Sequence, residues 1–253
     1  MLYTCDIGNT NIKVATFDCD EISGYYNFSD LNKLFDFFIE NRPSQIAISS
    51  VVPALQKEIS QFIKTNFDFS PFIIDHKLKF NLSIEYRPLE NLGIDRICSA
   101  EGALYLFKKS NDFKNYSTKS IVVTIDLGTA TTINVIKYPQ IFNGGLIAPG
   151  VRMMFNSLSK DTALLPSVNE NDYIEIIAQD TKSSLASGVI NSTLGLMDRT
   201  LDSIQKNYSV EQLKIFITGG NAKNILPYID FEFQFEKDLV LWGVKSIYDT
   251  NIK

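Results

Sequence analysis

Two short stretches place an acid, a glycine and small polar residues directly after an apolar run. The first is DIGNTNIK, from Asp6 to Lys13, and the second is IDLGTATTINVI, from Ile125 to Ile136. A glycine-containing hairpin leaves backbone N–H groups pointing into the turn, where they can hold an anion such as phosphate. An acid at the strand end is suited to a cation, usually Mg²⁺ bound through water. Each stretch therefore predicts a phosphate-binding turn with a cation beside it.

The two stretches are copies of one pattern, since YTCDIGNTNIKVATF aligns with VTIDLGTATTINVI. A single acid-glycine hairpin is common in β-structure and can be merely structural. Two copies that begin the two halves of the chain indicate a duplicated lobe. If the two turns face each other, they would grip a nucleoside triphosphate in a cleft between the lobes. The acids would then bind the metal ions that neutralise the phosphates.

Strand-like and helix-like segments alternate around these turns, which predicts an α/β protein. The linker-like stretch SNDFKNYSTKS suggests a boundary between an N-terminal lobe, residues 1–115, and a C-terminal lobe, residues 119–253. In the second half we predict helices from Asp172 to Ala178 and from Ser183 to Gln205. A last helix, DLVLWGVKSIYD, would close the C-terminal lobe.

The composition excludes several classes of protein. A net charge of -5 argues against a general nucleic-acid binder and against an anionic-membrane binder. No apolar run approaches the ~20 residues that span a bilayer, and MLYTCDIG lacks the basic start of a signal peptide, so we expect a cytoplasmic protein. The three cysteines form no CxxC pair, and the single histidine, His76, cannot build a His-rich metal site.

Seven motifs in order resemble those of a known family. DxGNT, DxGTATT and the TGG of Thr218 to Gly220 are similar to the two phosphate loops and the adenosine loop of the acetate and sugar kinase/Hsp70/actin superfamily. ISSVVP, LGIDR, GGLIAPG and DTKSSLASGV narrow the resemblance to type III pantothenate kinases. The similarity covers the chain from Leu2 to about Tyr248.

The resemblance implies two duplicated actin-like or ribonuclease H-like lobes with a nucleotide cleft between them. It implies ATP-dependent phosphorylation of pantothenate to 4'-phosphopantothenate, the first step of coenzyme A biosynthesis, by a homodimer. The cofactors it implies are Mg²⁺ with ATP and a monovalent cation, K⁺ or NH₄⁺. Asp6 would take the Mg²⁺ side through water, and Asp126 the monovalent cation.

The expected nucleotide contacts lie in the three loops. They are Asp6, Gly8, Asn9, Thr10, Asn11 and Lys13 in the first phosphate loop, Gly128 and Thr129 in the second, and Gly219 and Gly220 in the adenosine loop. The charge of Lys13 could reach a phosphate, or it could extend into solvent, which is the more frequent fate of a lysine.

Asp95 in LGIDR is the candidate base, because a carboxylate within reach of an alcohol proton assists its attack on phosphorus. The alternative is that Asp95 only caps or salt-bridges a helix start. Arg96 offers a guanidinium fork for the pantothenate carboxylate. By resemblance, Tyr86 also contacts the substrate, and Gly93 and Ile94 lie beside it; many relatives have proline where Ile94 stands.

Thr181 resembles a threonine that closes over pantothenate from the partner subunit. The alternative is an ordinary N-cap, formed by Asp180 or Thr181. The helix that follows carries a set of small residues, which we expect to pack against the second subunit: Ser183, Ser184, Ala186, Ser187 and Gly188.

Two other functions fit part of the pattern. One is another small-molecule kinase or phosphohydrolase of the same superfamily, although sugar kinases are usually much longer. The other is a nucleotide-sensing regulator that has lost catalysis. Such a regulator would be expected to lack Asp95 or one of the acids Asp6 and Asp126, and all three are present.

Overall fold

The structure is a computed structural model that describes residues 1–160 and 165–252. These residues form two units. Unit 1 contains Met1–Asn115, Pro139–Gly144 and the chain from Asp238 onward, and unit 2 contains Tyr116–Tyr138 and Gly145–Lys237. Residues 161–164 and 253 belong to the predicted C-terminal lobe but lie outside the described residues.

The elements follow one another along the chain with short 3₁₀ turns between some of them. The strands are β1 Leu2–Ile7, β2 Ile12–Asp18, β3 Glu21–Phe28, β4 Ile46–Ser50, β5 Phe72–Ile73, β6 Ser83–Ile84, β7 Ser120–Leu127, β8 Ala130–Lys137, β9 Ile141–Pro149, β10 Gln212–Thr218 and β11 Gln234–Phe235. The α-helices are α1 Leu31–Asn41, α2 Pro53–Phe67, α3 Ile94–Lys109, α4 Val151–Lys160, α5 Thr181–Tyr208 and α6 Leu239–Ile252.

The two sheets repeat one topology. The first has the order β3-β2-β1-β4-β5, and the second runs β11-β10-β7-β8-β9, with the short β6 beside β9. In each sheet a hairpin supplies two antiparallel strands, β1 with β2 and β7 with β8. A later strand then adds parallel to the first, β4 to β1 and β10 to β7. This repetition confirms the predicted α/β class and the predicted duplication.

The central strands are buried because their sequences are nearly continuous apolar runs, as expected for strands covered on both faces. β1 and β7 have their apolar residues buried, and in each the aspartate is only half-buried. Asp6 and Asp126 thus each interrupt an otherwise buried strand near its C-terminal end.

α1 begins at an N-cap, Asp30, whose carboxylate accepts the N–H of Asn32 at 2.8 Å, and it buries Leu34 and Phe38.

The last helix, α6, lies in unit 1, whereas the sequence places it in the C-terminal lobe that ends at residue 253. It packs on α3 at two glycines. A Cβ atom on Gly102 would lie 2.0 Å from the carbonyl oxygen of Leu239, and one on Gly243 would lie 1.7 Å from that of Cys98. The predicted boundary differs from the structure because this close helix contact joins segments far apart in the sequence.

Two local predictions also differ from the structure. The helix predicted from Asp172 to Ala178 is wrong, because the chain makes only a short 3₁₀ turn at Glu170–Asp172 before α5. Its apolar residues Ile174, Ile176 and Ile177 are exposed, so no core favours a helix there. β3 is absent from the predicted elements, since its residues are mostly half-buried or exposed and give a weak apolar signal.

None of the helices within residues 1–160 and 165–252 combines the length and the apolarity that crossing a membrane requires.

Candidate active site

The first candidate phosphate loop is the hairpin between β1 and β2 in unit 1. Asp6 stands opposite Lys13 in the antiparallel register and beside Ser49 in the parallel register with β4. The N–H of Gly8 donates to the carbonyl oxygen of Asn11 at 3.1 Å and closes the turn. Asn9 and Thr10 lie exposed at its tip. The hairpin therefore brings all six predicted residues of the first loop together.

The second candidate phosphate loop, between β7 and β8 in unit 2, is tighter. Asp126 stands opposite Thr132, and the N–H of Gly128 donates to the carbonyl oxygen of Ala130 at 3.1 Å. A Cβ atom on Gly128 would lie 3.1 Å from Oδ1 of Asp126. The absence of a side chain at Gly128 leaves room for the Asp126 carboxylate, and Thr129 is exposed beside it.

The glycine pair after β10 lies against this same carboxylate. Thr218 is in register with Asp126. Gly219 has a φ of 104°, and a Cβ atom there would lie 2.5 Å from Oδ1 of Asp126 and 2.4 Å from the backbone carbon of Leu127. Both the backbone conformation and the space at Gly219 therefore require glycine. Around Gly220 there is open space within 4 Å of such an atom.

Asn221 ties the glycine pair to the second phosphate loop, and the sequence predictions omit it. Its backbone N–H donates to the carbonyl oxygen of Leu127 at 2.9 Å, and its side-chain amide donates to that of Gly128 at 2.8 Å. The available signal was an amide side chain directly after TGG, in the place where a turn needs a local hydrogen bond.

Gly150, the last glycine of GGLIAPG, contacts the same loop. The N–H of Gly150 donates to the carbonyl oxygen of Thr129 at 3.2 Å. A Cβ atom on Gly150 would lie 2.3 Å from that oxygen. The start of α4 is thereby fixed against the second phosphate loop within unit 2.

Asp95 lies in the first turn of α3, after Gly93 and Ile94. Its Oδ1 atom accepts the backbone N–H of Arg96 at 2.9 Å, so part of the helix-start role is realised. A Cβ atom on Gly93 would lie 2.4 Å from that same oxygen, which means that Gly93 makes room for the carboxylate. Burial raises the pKa of Asp95, and hydrogen bonding to the Arg96 N–H opposes this only in part.

Arg96 is a buried cation that lies against two aromatic rings. Its guanidinium carbon lies 5.7 Å from the ring centre of Tyr86 and 5.8 Å from that of Phe142. The two rings meet edge to face, with 6.4 Å between their centres. These contacts hold the guanidinium by cation–π attraction. Phe142 was not predicted, because only the pairing of β6 with the start of β9 brings it to this place.

Unit 1 also brings Asp6 and Asp95 into one neighbourhood. Burial is the main cause that raises the pKa of the Cys98 thiol, and the negative charges of Asp6, Asp95 and Glu101 raise it further. The thiol itself is fully buried. The charges of the first phosphate loop and of the candidate base therefore both act on the same buried thiol.

The sequence assigns no functional role to His76. In the structure its ring contacts the residue just before Gly93. Its Nε2 atom lies 2.8 Å from the carbonyl oxygen of Leu92. Among the residues that the structure describes, no group of three or more His, Cys, Asp and Glu side chains is placed to hold a metal ion. The expected metal roles of Asp6 and Asp126 concern single carboxylates and a bound nucleotide.

Thr181 is the first residue of α5 and is exposed. Asp180 is the N-cap, since its carboxylate accepts the backbone N–H groups of Lys182 at 2.9 Å and Ser183 at 3.1 Å. The alternative of an ordinary N-cap is therefore confirmed with Asp180 as the cap, and Thr181 is the first helical residue. An open cavity of ≈ 510 Å³ lies at this helix start, lined by Ala178, Gln179, Asp180, Thr181, Ser184 and Leu185.

The small residues of α5 divide into two sets. Ser183, Ala186 and Ser187 are buried within the structure of the single chain, which differs from the expectation that they face a second subunit. Ser184 and Gly188 are exposed, and the space around Gly188 is open.

Comparisons with known proteins show the family of this chain. The profile of the family described as type III pantothenate kinase matches residues 2–203. The type III pantothenate kinase of Finegoldia magna is 31% identical over 267 residues, covering 99% of this chain and 98% of its own. That of Legionella pneumophila (strain Paris) is also 31% identical, covering 97% of each chain.

Solved structures with low identity show the fold. A protein of Campylobacter jejuni, described as a Baf family transcriptional activator, superposes with a TM-score of 0.58 at 21% identity, covering 98% of this chain and 97% of its own. A protein of Listeria monocytogenes, described as an N-acetylmannosamine kinase, gives 0.53 at 12% identity with 98% of both chains covered. The chain belongs to the type III pantothenate kinase family, and its members are phosphotransferases.

Proposed function

We propose that this protein transfers the γ-phosphoryl group of ATP to the primary hydroxyl of pantothenate. The product is 4'-phosphopantothenate, and the reaction opens coenzyme A biosynthesis. The observation that carries the proposal is the start of α3 in a chain that belongs to this family. There the Asp95 carboxylate accepts the backbone N–H of the next residue, Arg96, whose guanidinium lies over the ring of Tyr86. A base and a carboxylate-binding cation are the two groups that an alcohol with a carboxylate requires.

Asp95 acts as the general base. A hydroxyl attacks phosphorus more readily when a carboxylate accepts its proton, and the acceptor works best when its pKa is not far below the working pH. Burial raises the pKa of Asp95 and so moves it in that direction. Gly93 supports this role because its missing side chain leaves Oδ1 of Asp95 in place.

Arg96 binds the carboxylate of pantothenate. Its guanidinium is planar and permanently charged, and it can make two parallel hydrogen bonds to a carboxylate. The rings of Tyr86 and Phe142 hold it by cation–π attraction, which restricts its rotamers before substrate arrives. Tyr86 is half-buried, whereas Arg96 and Phe142 are buried, and it is the proposed substrate contact on the segment before α3.

The phosphates bind to the two hairpins. In the first loop, backbone N–H groups, Asn9, Thr10 and Lys13 would hold phosphate oxygens, and Asp6 would hold Mg²⁺ through water. When bound, Mg²⁺ would supply positive charge that neutralises the phosphates. In the second loop, Gly128 and Thr129 would approach the phosphates, while Gly219 and Gly220 would border the adenosine. Asp126 would hold a monovalent cation, K⁺ or NH₄⁺, since Thr132 rather than a lysine stands opposite it.

The test of this function is ADP release from MgATP, with pantothenate compared against glucose, glycerol, acetate and water. We expect pantothenate alone to stimulate release well above the water background. Asp95→Asn should lower kcat by about 10²–10⁴-fold, the usual contribution of a general base, with pantothenate binding retained by calorimetry. Stimulation by another acceptor would favour a different kinase of the superfamily. ATP hydrolysis without any acceptor preference would favour a phosphohydrolase.

The working assembly is a homodimer in which Thr181 reaches the substrate site of the partner subunit. Three exposed isoleucines, Ile174, Ile176 and Ile177, precede Thr181 and are the kind of surface that a second subunit covers. Ser184 and Gly188 are exposed on α5, and their small side chains would let a second subunit pack closely there.

Complementation tests the shared site. Thr181→Arg and Asp95→Asn chains, each inactive alone, should regain up to about a quarter of wild-type activity after subunit exchange, because one site in a mixed dimer carries neither change. A monomer by sedimentation, or no recovery in demonstrated mixed dimers, would contradict the shared site. Ile177→Asp should weaken the dimer, with Ile252→Asp as the control on an exposed isoleucine of unit 1.

A further inference from the structure

Glu101 is a fully buried carboxylate in the middle of α3, and the proposed chemistry does not use it. Its Oε1 atom accepts the backbone N–H of Leu82 at 2.9 Å. Its Oε2 atom accepts the side-chain amide of Asn81 at 3.0 Å and the hydroxyl of Ser246 at 3.3 Å. Three donors from two other segments therefore converge on one buried side chain.

Holding a loop with a buried carboxylate costs free energy, because the charge loses its hydration. Burial raises the pKa of Glu101, which means that the surroundings disfavour its charge even though all of these donors offset part of the cost. Apolar side chains of similar volume often stabilise a fold as well as a buried charged group does. What the carboxylate adds is direction, because its two oxygens accept only from donors in defined places. This favours a role in geometry over a role in stability.

The residues that Glu101 binds are the start of the segment that carries Tyr86. Directly after Leu82, Ser83 and Ile84 pair with Ile141 and Phe142. Two residues later the ring of Tyr86 lies against Phe142 and against the guanidinium of Arg96. α3 thus holds this segment at two points, Glu101 at its start and Arg96 at its end, about 7.5 Å apart along the helix axis.

We propose that Glu101 is a positioning residue that fixes Asn81–Tyr86 on α3 and thereby sets Tyr86 against Arg96. Without it the N–H of Leu82 loses its acceptor, and the segment can shift along the helix. A shift of this kind misplaces the substrate contact without touching the base. The consequence for pantothenate rests on the proposed function.

The test compares kinetic constants of Glu101→Ala and Glu101→Gln with wild type. Glu101→Ala should raise the KM for pantothenate about tenfold, since small displacements of a positioning group are costly, while kcat and the KM for ATP change less than about twofold. Glu101→Gln should raise it less, because one oxygen still accepts from Leu82. Adding Asn81→Asp to Glu101→Gln reverses the direction of the amide hydrogen bond and should restore the wild-type KM.

Asp249→Asn is the matched control, because it changes an acid to an amide on α6 within the same unit but contacts Lys245 instead of the segment. It should leave the KM for pantothenate unchanged. If Glu101→Ala does not fold, Asn81→Ala removes one donor without altering α3 and should show the same KM effect in smaller size. A lowered unfolding temperature with unchanged KM in these variants would overturn the proposal and leave a purely structural role.

A readout without substrate separates this inference from the function itself. In full-length protein, hydrogen exchange of the amides from Leu82 to Tyr86 should quicken in Glu101→Ala and stay as in wild type in Asp249→Asn. If wild-type protein fails to phosphorylate pantothenate but this exchange pattern holds, the proposed function falls and the positioning role stands. Unchanged exchange in Glu101→Ala would refute the positioning role whatever the substrate.

Discussion

The two acid-glycine hairpins share a topology, an aspartate and a glycine, and they differ in the length of the turn and in the residue opposite the aspartate. Four residues, Gly8 to Asn11, separate β1 from β2, whereas two, Gly128 and Thr129, separate β7 from β8. Lys13 stands opposite Asp6, and Thr132 stands opposite Asp126. Both copies keep the backbone that carries an acid to the strand end, whereas the residue across the hairpin is a cation in one copy and a hydroxyl in the other.

The strand beside each hairpin differs in the same sense. In unit 1 the chain leaves β4 so that the N–H of Val51 donates to the carbonyl oxygen of Ile7 at 3.1 Å. In unit 2 the equivalent donor is Asn221, which donates to Leu127 at 2.9 Å, and two residues, Gly219 and Gly220, lie between it and the end of β10. Gly219, with its positive φ, accommodates this longer exit from the strand. One hairpin is thus long and has a cation across the strand, and the other is short and is bordered by a glycine pair.

The largest expected effect distinguishes the two acids. Asp6→Asn should lower kcat on the order of 10³-fold, because it removes the charge that is proposed to hold Mg²⁺ beside the transferred phosphoryl group, and raising K⁺ should not restore it. Asp126→Asn should lower activity less and abolish its response to K⁺. The measurement is initial rate against K⁺ and Mg²⁺ concentration, with (CH₃)₄N⁺ replacing K⁺. Equal loss and equal cation response in both variants would remove the distinction between the hairpins.

The next effect concerns stability. Gly219→Ala should destabilise the protein by about 2 kcal/mol, since it puts a side chain at positive φ and against the Asp126 carboxylate. Gly220→Ala is the neighbouring control, because the space around Gly220 is open. Gly8→Ala should cost less than Gly219→Ala, because the nearest atom to its Cβ, the oxygen of Asn11, lies at 3.3 Å. Urea unfolding measures all three, and equal values for Gly219 and Gly220 would contradict the steric argument.

A smaller effect should follow from transplanting the charge of one hairpin to the other. Thr132→Lys places an ammonium group opposite Asp126, as Lys13 stands opposite Asp6. The built-in charge should reduce the dependence of the rate on K⁺ to less than about twofold, at a cost of at most about tenfold in kcat, because the lysine competes with the cation for the carboxylate. Thr132→Met, which is long but uncharged, is the control and should keep any remaining activity K⁺-dependent. Undiminished K⁺ dependence in Thr132→Lys would argue that the cation binds elsewhere.

The smallest effect is a shift along the pH axis. The base works only when deprotonated, so kcat/KM should rise with pH through the pKa of Asp95, which burial places above the ordinary 3.8. The fall of kcat/KM at low pH should persist in Asp126→Asn, since Asp126 belongs to unit 2 whereas Asp95 lies on α3 in unit 1. The measurement is kcat/KM for pantothenate from pH 4 upward with folding checked by circular dichroism. A fall centred at or below the ordinary aspartate value would contradict the role of burial.

The sign of stability at Asp95 follows from the same shift. A carboxyl whose pKa is raised in the folded state binds its proton more tightly there than in the unfolded chain. Its contribution to stability is therefore present at low pH and is lost as pH rises through the folded pKa. At neutral pH Asp95→Asn should raise the unfolding temperature slightly while removing activity, a combination that a merely destabilised variant cannot give.

The hairpins were predictable from sequence because their chemistry is local. An acid, a glycine and two short apolar runs fix both the turn and the side chains within it, and LGIDR likewise places Gly93, Asp95 and Arg96 on adjacent positions of one helix start. Phe142 and Asn221 were not predictable, because each reaches a site residue only through strand pairing or a turn from a distant segment. The exposed run around Ile176 misled the helix prediction, since apolar residues usually indicate a core.

The close packing of α3 and α6 at Gly102 and Gly243 also decides which unit can be completed first during synthesis. When the ribosome has added residue 237, every described element of unit 2 has been synthesised, although unit 1 began first. Unit 1 still lacks α6, and the close-packed face of α3 has nothing to cover it. Unit 1, which carries the candidate base, is thus completed after unit 2, and a deletion of α6 acts on the unit that contains the first phosphate loop.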